Sequence, residues 1–281
     1  MNPKYSSLKQ KTSFYFPLLL LPPSQRQALE ILYRFCWLAD EIADAPKPLS
    51  TKRRQFQKFR KDCIATLNGS PPNPFLKDFA TVLIEFQISH FYVLNLLKGI
   101  EADLYTISFQ TFKQLYQYAL NVAAAPGLMS MSIFGFKDLA HQNYAKNLGV
   151  FLQLTNIIRD FKEDLSLHRQ YLPMNDFHRF HLDPYKINNS TPQVTAFFHY
   201  QLDRAWSYLK KSRQYLSKSN RSQLMTAEAI ASVYVRLHQK LRTHCNQIVL
   251  GTIHLTLFDK IYSTFQATSQ CLLWKLWLRE K

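Results

Sequence analysis

The sequence predicts an all-α fold, a helical bundle in a single domain, and three observations predict it. Glycine is scarce, 6 in 281 residues, with no regular strand–turn rhythm. That disfavours sheet-rich and dinucleotide-binding architectures. Apolar residues recur at helical spacing along most of the chain. No internal repeat, low-complexity tract or long linker divides residues 1–281, and the 47% hydrophobic content supplies a large core.

The elements follow in order. Residues 1–12 are polar and basic and are expected to be loose. Ser13 to Pro23 is extended or irregular at its proline end. Ser24 suits an N-cap, and a helix runs from it to about Ala45, ahead of Pro46 and Pro48. It carries Asp40 and Asp44 at its C-terminal end, where carboxylates are electrostatically disfavoured, so a compensating cation is expected there. Residues 50–67 form a basic helix with a solvated face, and GSPPNP at 69–74 forms a turn. Two helices follow at about 75–88 and 90–106, with His90 packed or capping at their junction.

Phe112 to Ala125 is helical. Its continuation, NVAAAPGLMSMSIFG, is built of small residues. These admit either a bulky ligand against the backbone or a close helix–helix contact. Pro126 is expected to kink or break the helix, and Met129 and Met131 to line the core or a pocket. The next helix begins near Asp138 and reaches about Leu167. Arg169 to Pro192 is a loop with short turns, and long helices follow at about 193–217 and 222–249. The stretch 251–281 is helical and ends in CLLWKLWLREK. It suits a membrane-surface helix or one packed on the core with a charged edge.

A formal charge of +16 implies anionic company: nucleic acid, a membrane surface or phosphorylated substrates. The basic residues are dispersed, without a basic motif interleaved with aromatics, so nucleic acid is not an expected partner. Cys36, Cys63, Cys245 and Cys271 lie far apart without metal spacing and read as free thiols of a reducing compartment. The start of the chain does not read as a signal peptide, and no apolar run is long enough to span a membrane. The expected location is the cytoplasm, in solution or peripherally attached to the inner face of the plasma membrane.

Two stretches carry the chemistry. In NIIRDFKEDLSLHRQYLP, a helix puts Asn156, Asp160, Glu163 and Asp164 on one stripe with Arg159 at its edge. Val150, Leu154, Ile157, Ile158, Phe161 and Leu165 fall on the opposite side. A polar stripe often only faces water. Here the pattern recurs: in YRFCWLADEIAD, Asp40 and Asp44 are also four apart, with Ile31, Phe35, Leu38 and Ile42 behind them. Two such helices facing each other could share hard cations. Oxygen-only donors of this kind suit Mg²⁺, which keeps waters and leans on substrate phosphates.

These stretches, together with SFYF and LLP near the start and YALNVAAAPGLMSMSIFG, resemble the squalene/phytoene synthases over most of the chain. The resemblance is nearest to the bacterial presqualene diphosphate synthases. It implies an isoprenoid-synthase helical bundle around a central cavity. It maps the Mg²⁺ ligands to Asp40, Asp44, Asn156, Asp160 and Asp164, the pocket tyrosines to Tyr33, Tyr118, Tyr171 and Tyr234, and the diphosphate-binding arginines to Arg159 and Arg169. Ser13 and Phe14 match the segment that holds one substrate's diphosphate and first isoprene unit. Val122, Gly127, Leu152 and Gln153 match the chain-binding channel. Three positions depart from the family pattern: Trp37 stands where a basic residue is common, Glu41 where Asp is common, and Pro126 where a small or β-branched residue is usual. Lys260 and His254 are the two candidates for a C-terminal basic contact to diphosphate.

The implied reaction is head-to-head (1′-1) condensation of two farnesyl diphosphates into presqualene diphosphate. The expected partners are isoprenyl diphosphates, an anionic membrane surface and a downstream squalene-forming enzyme. Formation of squalene would need a reductant such as NADPH. The absence of the long anchoring tail of eukaryotic-type squalene synthases favours stopping at presqualene diphosphate, without NADPH. The alternatives are a phytoene or dehydrosqualene synthase, and a non-catalytic assembly or binding protein of the same fold. Intact aspartate pairs argue against the last.

Overall fold

The structure, a computed structural model, describes residues 15–105 and 107–279. It opens with a short helix α1 (Tyr15–Leu18) and continues into α2 (Pro23–Asp44), α3 (Leu49–Leu67), α4 (Pro74–Glu85) and α5 (His90–Ala102). Pro22 and Pro23, not Ser24, start α2; proline is pre-set for a first helical turn. Ser89 caps α5 by accepting from Phe91 N at 3.3 Å, so His90 neither caps nor packs but is exposed.

The buried face of α2 is Leu32, Phe35, Ala39 and Ala43. Of the expected set, Ile31, Leu38 and Ile42 are only half-buried. The helix is apolar around much of its girth, and the ring of Phe35 selects the face. It stacks on Phe79 of α4 at 4.0 Å and meets Phe59 of α3 at 5.6 Å. Around these rings α2 to α5 share one buried apolar cluster. The C-terminus of α2 does attract cations: the ammonium of Lys52 donates to Ala43 O at 2.9 Å and the guanidinium of Arg169 at 3.2 Å. Both complement the negative end of the helix dipole.

A two-residue strand β1 (Ile107–Ser108) leads to α6 (Phe112–Ala119). A five-residue π turn, Leu120–Ala124, joins α6 to α7 (Ala125–Ile133). The break expected at Pro126 is therefore met by widening. The Ala125 N–H reaches back five residues to Leu120 O, and Pro126 sits in the first turn of α7, directly after the widened turn. The small residues divide between both readings of the sequence. Ala124 and Ala125 are buried in close packing, whereas Ala123 and Gly127 face a cavity.

Helix α8 (Leu139–Arg159) starts, as expected, on Asp138, whose carboxylate accepts from His141 N at 3.1 Å. It does not run to Leu167. Asp160 leaves the helical region (φ −92°, ψ 8°) and α9 (Phe161–Ser166) resumes beyond it. The four-residue register survives, since Asp160 N bonds Asn156 O and Asp164 N bonds Asp160 O, each at 2.8 Å. His168, in the left-handed region at φ 59°, then turns the chain into β2 (Arg169–Gln170). β2 pairs in parallel with β1, Ile107 opposite Arg169.

The second half holds α10 (Met174–Arg179), α11 (Pro192–Gln214), α12 (Lys218–Gln223), α13 (Met225–Thr243) and α14 (Leu257–Arg279). α11 lies along α8, with Phe197, Phe198, Leu202 and Ala205 fully buried. Phe177 stacks on Phe197 at 4.3 Å and Phe161 meets Phe198 edge-on at 5.1 Å. The final helix begins at Leu257 rather than near 251, because Gly251 adopts φ +68° and ends a 3₁₀ turn over Cys245–Leu250. The four cysteines are free thiols. Among the described residues, no helix is long and apolar enough to cross a membrane.

Gly149 marks the closest approach of a helix to another segment's backbone. A Cβ there would lie 2.8 Å from Ala124 Cα and N and 2.9 Å from Ala123 C, all backbone of the π turn. At Gly127 the nearest atom would be Ala145 O at 3.5 Å. Gly149→Ala is therefore expected to lose about 1–3 kcal/mol in chemical denaturation. Gly127→Ala is expected to be neutral or slightly stabilising, since alanine favours the helix.

Candidate active site

The cavity lies between α2, the π turn with α7, α8 and α13, and has a volume of about 290 Å³. Its wall is largely apolar, with Leu29, Leu32, Met131, Leu148 and Ile230. All four residues expected in a chain-binding channel, Val122, Gly127, Leu152 and Gln153, line it. So do Tyr33 and Tyr234. Its polar end is formed by Asp40 and Asn156, one from each acidic stretch. Ser13 and Phe14 lie outside the described residues.

Around that end the two stretches meet. Arg169, on β2, donates to Asp44 Oδ1 at 2.7 Å as well as to Ala43 O. Its side chain is 12% exposed and that of Asp44 58%. Arg159 grips the carboxylate of Asp160 through both Nε and Nη2, at 2.6 and 2.5 Å. Lys260 of α14 feels the charge of Arg159, and burial first, then that like charge, lowers its pKa. His254, the other C-terminal candidate, is exposed and its carbonyl accepts from Lys240. Lys260 is thus the one beside the second acidic stretch.

One acid here escaped the sequence reading. Asp103, just past the end of α5, accepts from Tyr118 Oη at 2.9 and 3.1 Å and from Tyr171 Oη at 2.9 Å. The two phenol rings stack at 5.2 Å. The sequence offered only a carboxylate at the end of an apolar helix, GIEADLY, with no partner at helical spacing. Its partners are 15 and 68 residues away, and only the fold collects them. The four predicted tyrosines thus divide into two pairs: Tyr33 and Tyr234 on the cavity wall, Tyr118 and Tyr171 on Asp103.

The charges do not balance. Asp40, Asp44, Asp103, Asp160 and Asp164 share Arg159, Arg169 and the nearby Lys260. Asp40 is open to solvent at the cavity mouth yet ringed by protein. Burial and the charges of Asp44 and Asp103 push it up to about 8, against the pull of Arg169. Burial and Asp160 push Asp164 up to about 7. Burial also raises Asp103 to about 6, although Arg169 and the two phenols draw it down. Excess negative charge in a half-buried mouth is what a hard cation would relieve.

Asn156 adds a second sign. Its Oδ1 is buried and has no hydrogen-bond partner among the described residues, a costly state for an amide oxygen unless a ligand uses it. The donors fit a divalent cation of the Mg²⁺ kind. Among the described residues, however, no three His, Cys, Asp or Glu side chains form a ready-made metal cluster. A cation here would share its coordination with oxygens from a ligand.

An all-helical bundle with an apolar cavity and acidic helices at its mouth defines a class of enzyme that handles a long apolar chain carrying an anionic head. The chain matches the squalene/phytoene synthase family over residues 8–259 and belongs to it. Its members are prenyltransferase-type enzymes. The chain is 30% identical to a presqualene diphosphate synthase of Rhodopseudomonas palustris, over 82% of its own length and 83% of the relative's. It is 29% identical to a 15-cis-phytoene synthase of Synechocystis, over 74% and 66%. A crystal structure of a dehydrosqualene synthase in complex with ligand shares the fold at a TM-score of 0.81, with 22% identity and 95% and 94% coverage.

The raised carboxylates set a pH dependence for metal-free protein. A carboxylate whose pKa is raised by folding stabilises the fold below its unfolded value, near 3.9, and loses that contribution as pH rises through its folded value. In EDTA the melting temperature is expected to fall from about pH 4 to about pH 8, the span between the unfolded carboxylate value and the folded values of Asp164 and Asp40, and to level off above it. Asp40→Asn should flatten that fall in a scanning-fluorimetry series, and saturating Mg²⁺ with inorganic diphosphate should reverse it.

Proposed function

We propose that the protein condenses two molecules of farnesyl diphosphate head-to-head (1′-1) into presqualene diphosphate. The observation that carries this reading is the meeting of two acidic stretches, each with aspartates four residues apart, at the mouth of an apolar cavity. The similarity to the presqualene diphosphate synthase of Rhodopseudomonas palustris supports this product. The similarity to phytoene synthases keeps a second reading alive, condensation of geranylgeranyl diphosphate to phytoene.

In this reading the isoprenoid tails lie against Val122, Gly127, Leu152 and Gln153. Mg²⁺, held by Asp40, Asp44, Asn156, Asp160 and Asp164, would supply the positive charge that stabilises the departing diphosphate. Arg159 and Arg169 would turn part of their bonding from Asp160 and Asp44 to phosphate oxygens, which they can grip in a bidentate manner. The apolar wall keeps water from the allylic cation, and Tyr33 and Tyr234 put polarisable rings beside it.

The first substrate's C1–O bond breaks, its C1 joins the second substrate's double bond, and a cyclopropane closes with loss of one proton. The Tyr118–Tyr171 pair is the acceptor we favour. A phenol oxygen would take that proton while passing its own to Asp103, whose raised pKa suits it to receive one. The condensation changes no net oxidation state, so NADPH would not be consumed. The product would still carry one diphosphate, and a downstream squalene-forming enzyme would be its consumer.

The test is incubation with farnesyl or geranylgeranyl diphosphate, with and without Mg²⁺ and NADPH, and mass spectrometry of the products. Presqualene diphosphate from the farnesyl substrate, dependent on Mg²⁺ and indifferent to NADPH, is the expected result. Phytoene from the geranylgeranyl substrate would give the site to the second reading. Asp160→Asn with Asp164→Asn should lower turnover by about 10²–10³-fold with the helical circular dichroism unchanged; full activity would take these aspartates out of the mechanism, and wild-type protein with no turnover of either substrate would leave a non-catalytic relative. Asp103→Asn should cost about 10²-fold in kcat with little change in KM.

A further inference from the structure

Helix α14 is built inside out. Its inner side carries only small and polar groups: Asp259, Ser263 and Thr264 are 8%, 2% and 7% exposed, and Ala267 and Cys271 are buried beyond them. Asp259 is held there by the amide and hydroxyl of Thr256 and by Arg236. Its outer side carries Phe258, Ile261, Tyr262, Phe265, Leu272 and Leu273, each between 45% and 74% exposed. On a helical wheel these six fall within an arc of about 120°. No charged residue shares that arc between Leu257 and Leu273. Surface helices normally show the reverse pattern, and a contiguous apolar patch of this kind marks an interaction surface.

Two features say what covers it. The helix continues as Trp-Lys-Leu-Trp-Leu-Arg, and aromatic residues mixed with basic ones suit a helix lying among lipid headgroups. The whole chain carries +16, complementary to an anionic bilayer. The same helix brings Lys260, on its other side, up to Arg159 at the cavity mouth. We propose that the outer arc of α14 is a membrane-docking surface that lies in the headgroup layer of an anionic phospholipid bilayer and sets the cavity mouth beside it. This stands on the helix alone and holds whichever isoprenoid the site makes.

The test is flotation of the full chain with vesicles of phosphatidylcholine, alone or mixed with phosphatidylglycerol. Binding is expected to the anionic vesicles, to weaken with salt, and to be poorer on neutral ones. Phe258→Ser with Phe265→Ser should lower partitioning at least about tenfold, and Leu272→Ser with Leu273→Ser should do the same from a later turn. Both pairs should keep the circular dichroism and the turnover of dispersed substrate unchanged. Wild-type protein that stays in solution, or variants that float as well as wild type, would overturn the proposal. Two further outcomes would overturn it as well: a dimer that the variants dissolve with no flotation gives the arc to a second copy, and flotation only after removal of residues 1–14 gives it to the chain's own N-terminal segment.

Discussion

The guanidinium of Arg169 ties the mouth of the cavity together. It reaches across 125 residues of sequence to Asp44, and at the same time donates to the Ala43 carbonyl near the end of the helix that carries Asp44. Its strand is fixed by pairing with β1, which follows directly on Asp103 and Leu104. One cation is therefore within electrostatic reach of Asp40, Asp103 and Asp164. Without it, acids from three separate segments would face one another across a half-buried gap. Like charges so placed repel strongly where water screens them poorly. The partial compensation leaves the acids short of positive charge.

Much of this was legible in the residues. The wheel of α8 put Val150, Leu154, Ile157 and Ile158 inside and Asn156 outside, and those four are buried. Periodicity sufficed because the partner helix α11 offers a long buried face, with Phe197, Phe198, Leu202 and Ala205 along it. It failed on α2, where apolar residues surround the helix and the choice of face belongs to Phe79 and Phe59, in helices that no local pattern links to it. The break at Asp160 and the left-handed His168 were equally invisible, since each is a backbone adjustment with no glycine or proline to announce it.

Asp103 shows the same limit at the level of the site. A motif is readable when its members lie a turn apart on one helix. The Asp103–Tyr118–Tyr171 cluster is assembled from α5, α6 and the segment after α9, and no spacing rule connects them. The cation expected at the end of α2 was anticipated on electrostatic grounds. Its suppliers, Lys52 and Arg169, were not, because one lies in a helix read only as a solvated basic face and the other far along the chain.

The π turn between α6 and α7 has a consequence for any variant that changes length. A residue added to a helix sets everything after it back by about 100°. Excising a single residue from Leu120–Ala124 would thus act as a rotation more than a shortening. Gly127 and Ser130, now on the cavity wall, would swing away, and side chains at present committed to the core, Leu128 and Met129 among them, would turn toward the cavity.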